Sequence, residues 1–136
     1  MQLLGLKWAA MDAVVIRGVA KALIAEQNSE GGWSQNPNLP PDAYATAQVL
    51  YALNRAAGLA VTDAVYQRGM KYLLATQAAD GSWHVRSRAV KLQPYFQSGF
   101  PYDHDQWISN TATAWAAAAL ALAADQPNLQ ARSRIR

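Results

Sequence analysis

The stretch that decides the fold is RGMKYLLATQAADGSW, residues 68–83, which has the pattern of a helix end followed by a glycine-containing turn and a tryptophan. An earlier stretch, RGVAKALIAEQNSEGGW at residues 17–33, repeats this pattern. In both stretches a glutamine is followed, at the same spacing, by an acidic residue, a glycine, a small residue and a tryptophan. Because a pattern of this length seldom recurs by chance, the chain is expected to contain an internal repeat.

Apolar residues at helical spacing predict four main helices around these two stretches. Their expected ranges are about 12–27, 42–57, 63–77 and 109–124, with N-caps at Asp12, Asp42, Thr62 with Asp63, and Ser109. The first and third helices are amphipathic and carry Arg and Lys, whereas the second and fourth are rich in small residues. The third is expected to bury one face, formed by Tyr66, Met70, Leu73 and Leu74.

This alternation predicts two layers, in which outer helices face water and inner helices face their neighbours. The fourth helix is nearly uncharged all round, a composition that suits a helix buried on most sides. No stretch shows the sustained alternation of a strand, so the predicted fold class is all-α, built from helical hairpins.

Composition and charge exclude several classes of protein. With 136 residues, 51% apolar and 15% charged, the chain suits one globular domain. It has no cysteine, which excludes disulfides, thiolate zinc sites and cysteine nucleophiles. The net charge of +3 is small and much of it lies in the basic tail 126–136, which is expected to be a flexible, solvated end and not a nucleic-acid arm. The first residues lack the features of a signal peptide, and no apolar stretch reaches the roughly 20 residues of a membrane span.

Both copies resemble the QW motif of the squalene-hopene cyclase and terpene cyclase superfamily, in which a basic residue, a glycine, an aromatic and a leucine precede Gln, Gly and Trp. The second copy matches throughout, and the first departs at Ala22, where an aromatic is usual. The resemblance covers most of residues 12–124 and implies an α/α toroid of stacked hairpins. In that family the motif fastens the end of an outer helix to the next inner helix, which implies structural roles for Gln27, Gly31, Trp33, Gln77, Gly81 and Trp83.

Three further segments are similar to a bacterial group of squalene-cyclase-like, prenyltransferase-repeat proteins, for which a repeat is established but a reaction is not. These segments are DGSWHVR, QPYF and HDQWIS, at residues 80–86, 93–96 and 104–109. The resemblance as a whole implies a lead-in at 1–11 and a terpenoid cyclase-like repeat domain at 12–125, with repeats at about 12–58 and 62–125. Four helices make only a partial ring, so we expect self-association or flanking repeats to complete the core.

The acid motif of the cyclases is degenerate in this chain. In the family, the central Asp of an Asp-x-Asp-Asp-Thr-Ala motif protonates an alkene. The matching residues 42–47 read DAYATA, with Tyr44 where the acid belongs. A phenol with a pKa near ~10 cannot protonate an alkene, so proton-initiated cyclisation is disfavoured and Asp42 is expected to be a helix cap. The zinc site of the related protein prenyltransferases needs a cysteine, and no metal or cofactor is expected.

One further cluster is a candidate for acid–base or metal chemistry. It consists of the run Asp103, His104 and Asp105 together with His84. The alternative is that Asp105 or His104 braces backbone amides of the long segment 84–107. The weak catalytic candidates are therefore Asp42, Tyr44, His104 and Asp105.

Aromatic side chains are the candidates for ligand binding, because their faces grip isoprenoid chains and stabilise cations. The alternative is that they cover the ends of short helices, since aromatic stripes pack more often than they bind. The candidates are Tyr44, Tyr51, Tyr95, Phe96, Phe100, Tyr102, Trp107 and Trp115.

The leading hypothesis for function is a repeat module without cyclase activity that binds an apolar or isoprenoid ligand, or a protein partner. The alternative is a fragment of a terpene or squalene cyclase-like enzyme, an isomerase or lyase whose acid lies elsewhere. A purely scaffolding role is a third option.

Overall fold

The computed structural model describes residues 1–89 and 96–124, and this part of the chain is all-helical and contains no strand. The predicted all-α class is therefore confirmed there. The helices are α1 (Gln2–Trp8), α2 (Ala13–Ala25), α3 (Ala43–Ala57), α4 (Ala64–Ala75) and α5 (Gln106–Ala124), with a single 3₁₀ turn at Asp103–Asp105.

Three predicted N-caps are confirmed. The carboxylates of Asp12, Asp42 and Asp63 accept hydrogen bonds from amides of the first turn of α2, α3 and α4, at 2.6, 2.9 and 2.8 Å. Each bond satisfies an amide that has no partner within its own helix. Gly58 ends α3 with a φ of 72°, a left-handed conformation that glycine adopts without strain.

The start predicted for the last helix is wrong. Helix α5 begins at Gln106, and Ser109 is buried inside its first turns, where its hydroxyl accepts a hydrogen bond from the Val85 amide at 3.0 Å. Nor is α5 buried on most sides, because Trp107, Ala114 and Ala117 are exposed. An uncharged helix can be buried, but the small alanine side chain can also face water at little cost in free energy. The composition of this helix therefore does not show how many of its sides are buried.

Residues 1–11 are not only a lead-in. Residues 2–8 form α1, which packs against α2 and α3 and buries Leu3 and Leu4 in the core. A seven-residue helix is too short to be stable alone, so α1 depends on its packing against the other helices. A local sequence pattern does not reveal such packing.

Helix α3 is the centre of the fold. It contacts the four other helices, most extensively α5, and Ala47, Leu50 and Leu53 on it are fully buried. Helix α4 is tied to α5 by the buried Tyr66, whose hydroxyl donates to the Ala119 carbonyl at 2.8 Å. Burial raises the pKa of Tyr66 to about 12. Leu74, predicted on the buried face of this helix, is instead 57% exposed.

Candidate functional site

The first corner, residues 27–33, joins α2 to α3 and is held by Gln27. The Gln27 amide nitrogen donates to the Gly31 carbonyl at 2.8 Å and to the Val65 carbonyl of α4 at 2.9 Å. The Gln27 side-chain oxygen accepts from the Arg68 guanidinium at 3.1 and 2.5 Å. One side chain therefore closes its own turn and also binds α4.

Trp33 completes this corner. Its indole nitrogen donates to the Leu23 carbonyl at 2.7 Å, and its backbone amide donates to the Thr46 hydroxyl at 2.9 Å. The indole is buried, so the end of α2 and the start of α3 are joined through a large apolar surface and two hydrogen bonds.

The second corner, residues 77–83, repeats the local bonds between α4 and α5. Gln77 donates to the Gly81 carbonyl at 2.9 Å, the Trp83 indole donates to the Leu73 carbonyl at 2.7 Å, and the Trp83 amide donates to the Thr113 hydroxyl at 3.0 Å. Gly31 and Gly81 both have a positive φ, at 92° and 85°. Within the described residues, however, Gln77 has no bond to another helix.

Asp42 and Tyr44, the weak catalytic candidates on α3, lie near the first corner. One Asp42 oxygen caps the helix, and the other accepts from Gln35 at 2.7 Å and lies 3.9 Å from the Arg88 guanidinium. Tyr44 is half-buried against the core. Both carboxylate oxygens thus act as acceptors, which is the arrangement of a helix cap.

The structure brings His84 and Asp105 together, a pairing that sequence reasoning did not specify. The His84 Nε2 atom lies 2.7 Å from one Asp105 oxygen, and the Ser87 amide donates to the other at 2.7 Å. Partial burial opposes ionisation of Asp105, but the bonds from Ser87 and His84, with the nearby charges, outweigh it and lower the pKa of Asp105. Asp105 therefore braces a backbone amide, which is one of the two alternatives raised for it.

A second set of contacts continues from this pair. The His84 ring stacks on Tyr102 at 4.6 Å, and the Tyr102 hydroxyl lies 2.5 Å from the Ser82 hydroxyl. Ser82 also donates to Asp80 at 2.6 Å, and its hydroxyl and amide bonds lower the pKa of Asp80. These side chains pin the segment after the second corner to the 3₁₀ turn before α5. His104, in that turn, has contacts of its own.

Six of the eight candidate aromatics form three ring pairs within the described residues. Tyr51 of α3 meets Trp115 of α5 edge-on at 5.3 Å, which places this pair between two packed helices. Phe100 lies 6.3 Å from Tyr102, and Phe96 stacks against Trp107 at 6.2 Å. Tyr95 lies outside the described residues.

The Phe96–Trp107 pair is both exposed and anchored. Phe96 is 69% exposed and Trp107 is 55% exposed. The fully buried side chain of Gln106, the residue before Trp107, accepts from the Ser98 amide at 2.5 Å and donates to the Phe96 carbonyl at 3.1 Å. Sequence reasoning missed Gln106. A glutamine at the start of an apolar helix, next to a long segment, can donate and accept hydrogen bonds with that segment, and this pattern could have indicated its role.

A concavity of about 460 Å³ lies beside the first corner, under the loop between Trp33 and α3. Its wall combines apolar and amide side chains with one carboxylate: Trp33, Leu39, Asn28, Gln35, Asn36 and Glu26. Most of these side chains already serve the turn or the loop, and the site was not foreseen from the sequence.

Comparison of the chain with protein-family models, curated proteins and solved structures finds no match. The likeness to squalene-hopene cyclases therefore remains a prediction from the sequence. Among residues 1–89 and 96–124, no helix is long and apolar enough to cross a membrane. In the same described ranges, no three His, Cys, Asp or Glu side chains are grouped so that they could hold a metal ion.

Proposed function

We propose that this chain is a helical-repeat module of the α/α-toroid type, similar to squalene cyclases in its repeat, that binds an apolar chain without chemical turnover. The observation that carries the binding role is the Phe96–Trp107 pair. Two stacked rings that are more than half exposed form an apolar surface, and surfaces of this kind mark binding sites. The buried Gln106 holds the Phe96 backbone beside α5, and a backbone that is already held lowers the entropy lost on binding.

The toroid-type arrangement is supported by the two corners. In each corner the indole of a buried tryptophan donates to a carbonyl of the preceding helix, and its amide donates to a threonine of the following one. Repetition of this joint would place α2 and α4 in one layer and α3 and α5 in the other.

The absence of turnover is supported by the contacts of Asp42. This side chain, at the position of the degenerate acid motif, caps α3 and accepts from Gln35. We expect no cyclised product after incubation with squalene or a prenyl diphosphate. A cyclised product that disappears in an Asp42→Asn variant would overturn the non-catalytic proposal.

Binding is tested with a short prenyl alcohol that dissolves in water, geraniol, titrated by isothermal calorimetry. The expected result is saturable binding that weakens about tenfold or more in Trp107→Ala, because central aromatic residues dominate apolar contacts. Trp8→Ala is the matched control, since Trp8 is 76% exposed at the other end of the described chain. No saturation, or an equal loss in both variants, would contradict the proposal.

An enzyme is the second candidate, and the His84–Asp105 pair is the observation that favours it. A histidine oriented by a carboxylate is a common general base, and the His84 side chain is 53% exposed to solvent. If the chain is a terpene cyclase-like enzyme that uses this pair, the product assay described above yields a product that is lost in His84→Ala and in Asp105→Asn.

A further inference from the structure

The two outer helices begin with the same motif, but only one copy of it is in contact with a corner. Residues 12–18 read DAVVIRG and residues 63–69 read DAVYQRG, and in each the aspartate is the N-cap. In α4, the Val65 carbonyl and the Arg68 guanidinium bind Gln27 of the first corner. In α2, the corresponding Val14 is 66% exposed and Arg17 is exposed.

The contact that α4 makes is close, because two glycines leave room for a neighbouring backbone and a neighbouring side chain. A Cβ atom on Gly31 would lie 2.6 Å from the Arg68 carbonyl oxygen. A Cβ atom on Gly69 would lie 2.7 Å from the side chain of Leu50 on α3. The motif therefore docks through the valine carbonyl, the arginine side chain and the glycine that follows it.

Each counterpart of this contact is open on the other side of the molecule. A Cβ atom on Gly81 would meet only the amide of its own corner's Gln77, at 3.8 Å, and one on Gly18 would meet nothing within 4 Å. Leu50 lies one turn after Thr46, the partner of Trp33. The equivalent residue on α5, one turn after Thr113, is Ala117, and it is exposed. Among the described residues, the chain thus presents an uncovered docking motif and an uncovered, preformed acceptor.

We propose that a second copy of this chain docks its α2 motif, residues 12–18, onto the second corner and the Ala117 face of α5. The Arg17 guanidinium binds the Gln77 side-chain oxygen beside the Asp80 carboxylate, and Gln77 donates to the Val14 carbonyl. Gly18 lies against Ala117. This interface continues the packing of α4 on α3 and the first corner, and it brings a cation to a corner whose only charged side chain is an acid.

The contact is head-to-tail, since the docking surface and the acceptor are different patches of one chain. Such a heterologous interface adds copies in series until a ring closes. It is weaker than the internal contact that it copies, because the Tyr72 hydroxyl, which donates to the Pro41 carbonyl at 2.8 Å, has no equivalent in α2, where the residue at the same distance from the arginine of the motif is Lys21. Association in the micromolar range is expected. This self-association does not depend on the binding of an apolar chain.

Sedimentation velocity of the full chain from about 10 µM to about 1 mM tests the proposal. The wild-type chain is expected to form a concentration-dependent series of oligomers. Arg17→Glu reverses the charge of the docking motif, and Ala117→Glu places a bulky charge where Gly18 must approach. Each variant alone is expected to be a monomer, and an equimolar mixture of the two is expected to form a dimer, because each retains the surface that the other lacks.

The mixture distinguishes this interface from other modes of association. Thr111→Glu is the matched control, being an exposed position on another face of α5, and it should associate as the wild type does. Circular dichroism checks that all variants remain helical. A wild-type chain that stays monomeric at about 1 mM overturns the proposal, and so do variants that associate like the wild type or a mixture that stays monomeric.

Discussion

The first corner, residues 27–33, and the second corner, residues 77–83, have the same internal bonds and different surroundings. In both, a glutamine closes a glycine turn and a tryptophan joins two helices. The first corner is then covered by α4, through Val65 and Arg68, whereas Gln77 is exposed and, among residues 1–89 and 96–124, is bonded only within its turn. The comparison separates the part of the motif that forms a joint from the part that recognises a neighbouring helix.

The largest effect is expected where the corners are alike. Trp33→Ala and Trp83→Ala should each lower the free energy of unfolding by about 3–5 kcal/mol, because each removes a buried indole. Urea unfolding followed by circular dichroism measures this loss, and the exposed Trp8→Ala should change it by less than about 0.5 kcal/mol. If the two corner variants differ by several kcal/mol, the joints are not equivalent.

The second-largest effect is a difference in the cost of replacing the glycine of each corner, Gly31 and Gly81, by alanine. Both glycines have a positive φ, so alanine should cost about 1–2 kcal/mol at either position. At Gly31 the new Cβ would also overlap the Arg68 carbonyl, so Gly31→Ala should cost at least about 1 kcal/mol more than Gly81→Ala. Urea denaturation measures both. Gly18→Ala, in open space within α2, should instead stabilise by about 0.5–1 kcal/mol, and equal losses at Gly31 and Gly81 would show that α4 does not press on the first corner.

A smaller difference is expected at the glutamines. Gln27→Ala leaves the Val65 and Gly31 carbonyls and Arg68 without their partner, and should destabilise by about 2 kcal/mol. Gln77→Ala removes one exposed bond and should cost less than about 1 kcal/mol at concentrations where the chain is monomeric. Chemical denaturation at low protein concentration compares them, and a larger cost at Gln77 would reverse the comparison.

The smallest effect concerns the His84–Asp105 pair, which only the second repeat has. Partial burial disfavours the Asp105 carboxylate, but the bonds from Ser87 and His84 outweigh it and hold the pKa of Asp105 below its ordinary value. Such a carboxyl stabilises the fold above its unfolded pKa near ~3.9, and the contribution is lost as pH falls through the lower folded pKa. Asp105→Asn should therefore destabilise by less than about 1 kcal/mol near neutral pH.

Thermal melts at about pH 7 and about pH 2.5 check this prediction, since the difference between Asp105→Asn and wild type should shrink in acid. Asp103→Asn, at an exposed neighbouring carboxylate, is the control and should change little at either pH. A difference that grows in acid would contradict the sign of the pKa shift.

Local patterns predicted much of this fold because they depend on residues close together in the chain. The caps at Asp12, Asp42 and Asp63 were predictable, since a short side chain reaches only its own first turn. The end of α3 at Gly58 was predictable for the same reason. The exposed face of α5 and the existence of α1 were not predictable. An alanine or a leucine does not show from its own chemistry which distant residue will cover it.

The candidate site was predictable only in its parts. His84, Asp105, Phe96 and Trp107 were each conspicuous by residue type, but their pairing is a tertiary contact between residues that are far apart in the chain or lie outside α5. Gln106 was overlooked because its partners, Ser98 and Phe96, lie outside α5 and are brought to it by tertiary packing and not by helical spacing.

By itself, the sequence determined the all-α class, the repeated glutamine–glycine–tryptophan turn and three of the helix starts, since each follows from interactions within a few residues. Only the tertiary structure decided that Gln27 is held by Arg68 while Gln77 is left open to solvent. The physical reason is that a hydrogen bond between distant segments forms only where packing brings a second helix within about 3 Å of the side chain, and the same motif meets α4 at the first corner and water at the second.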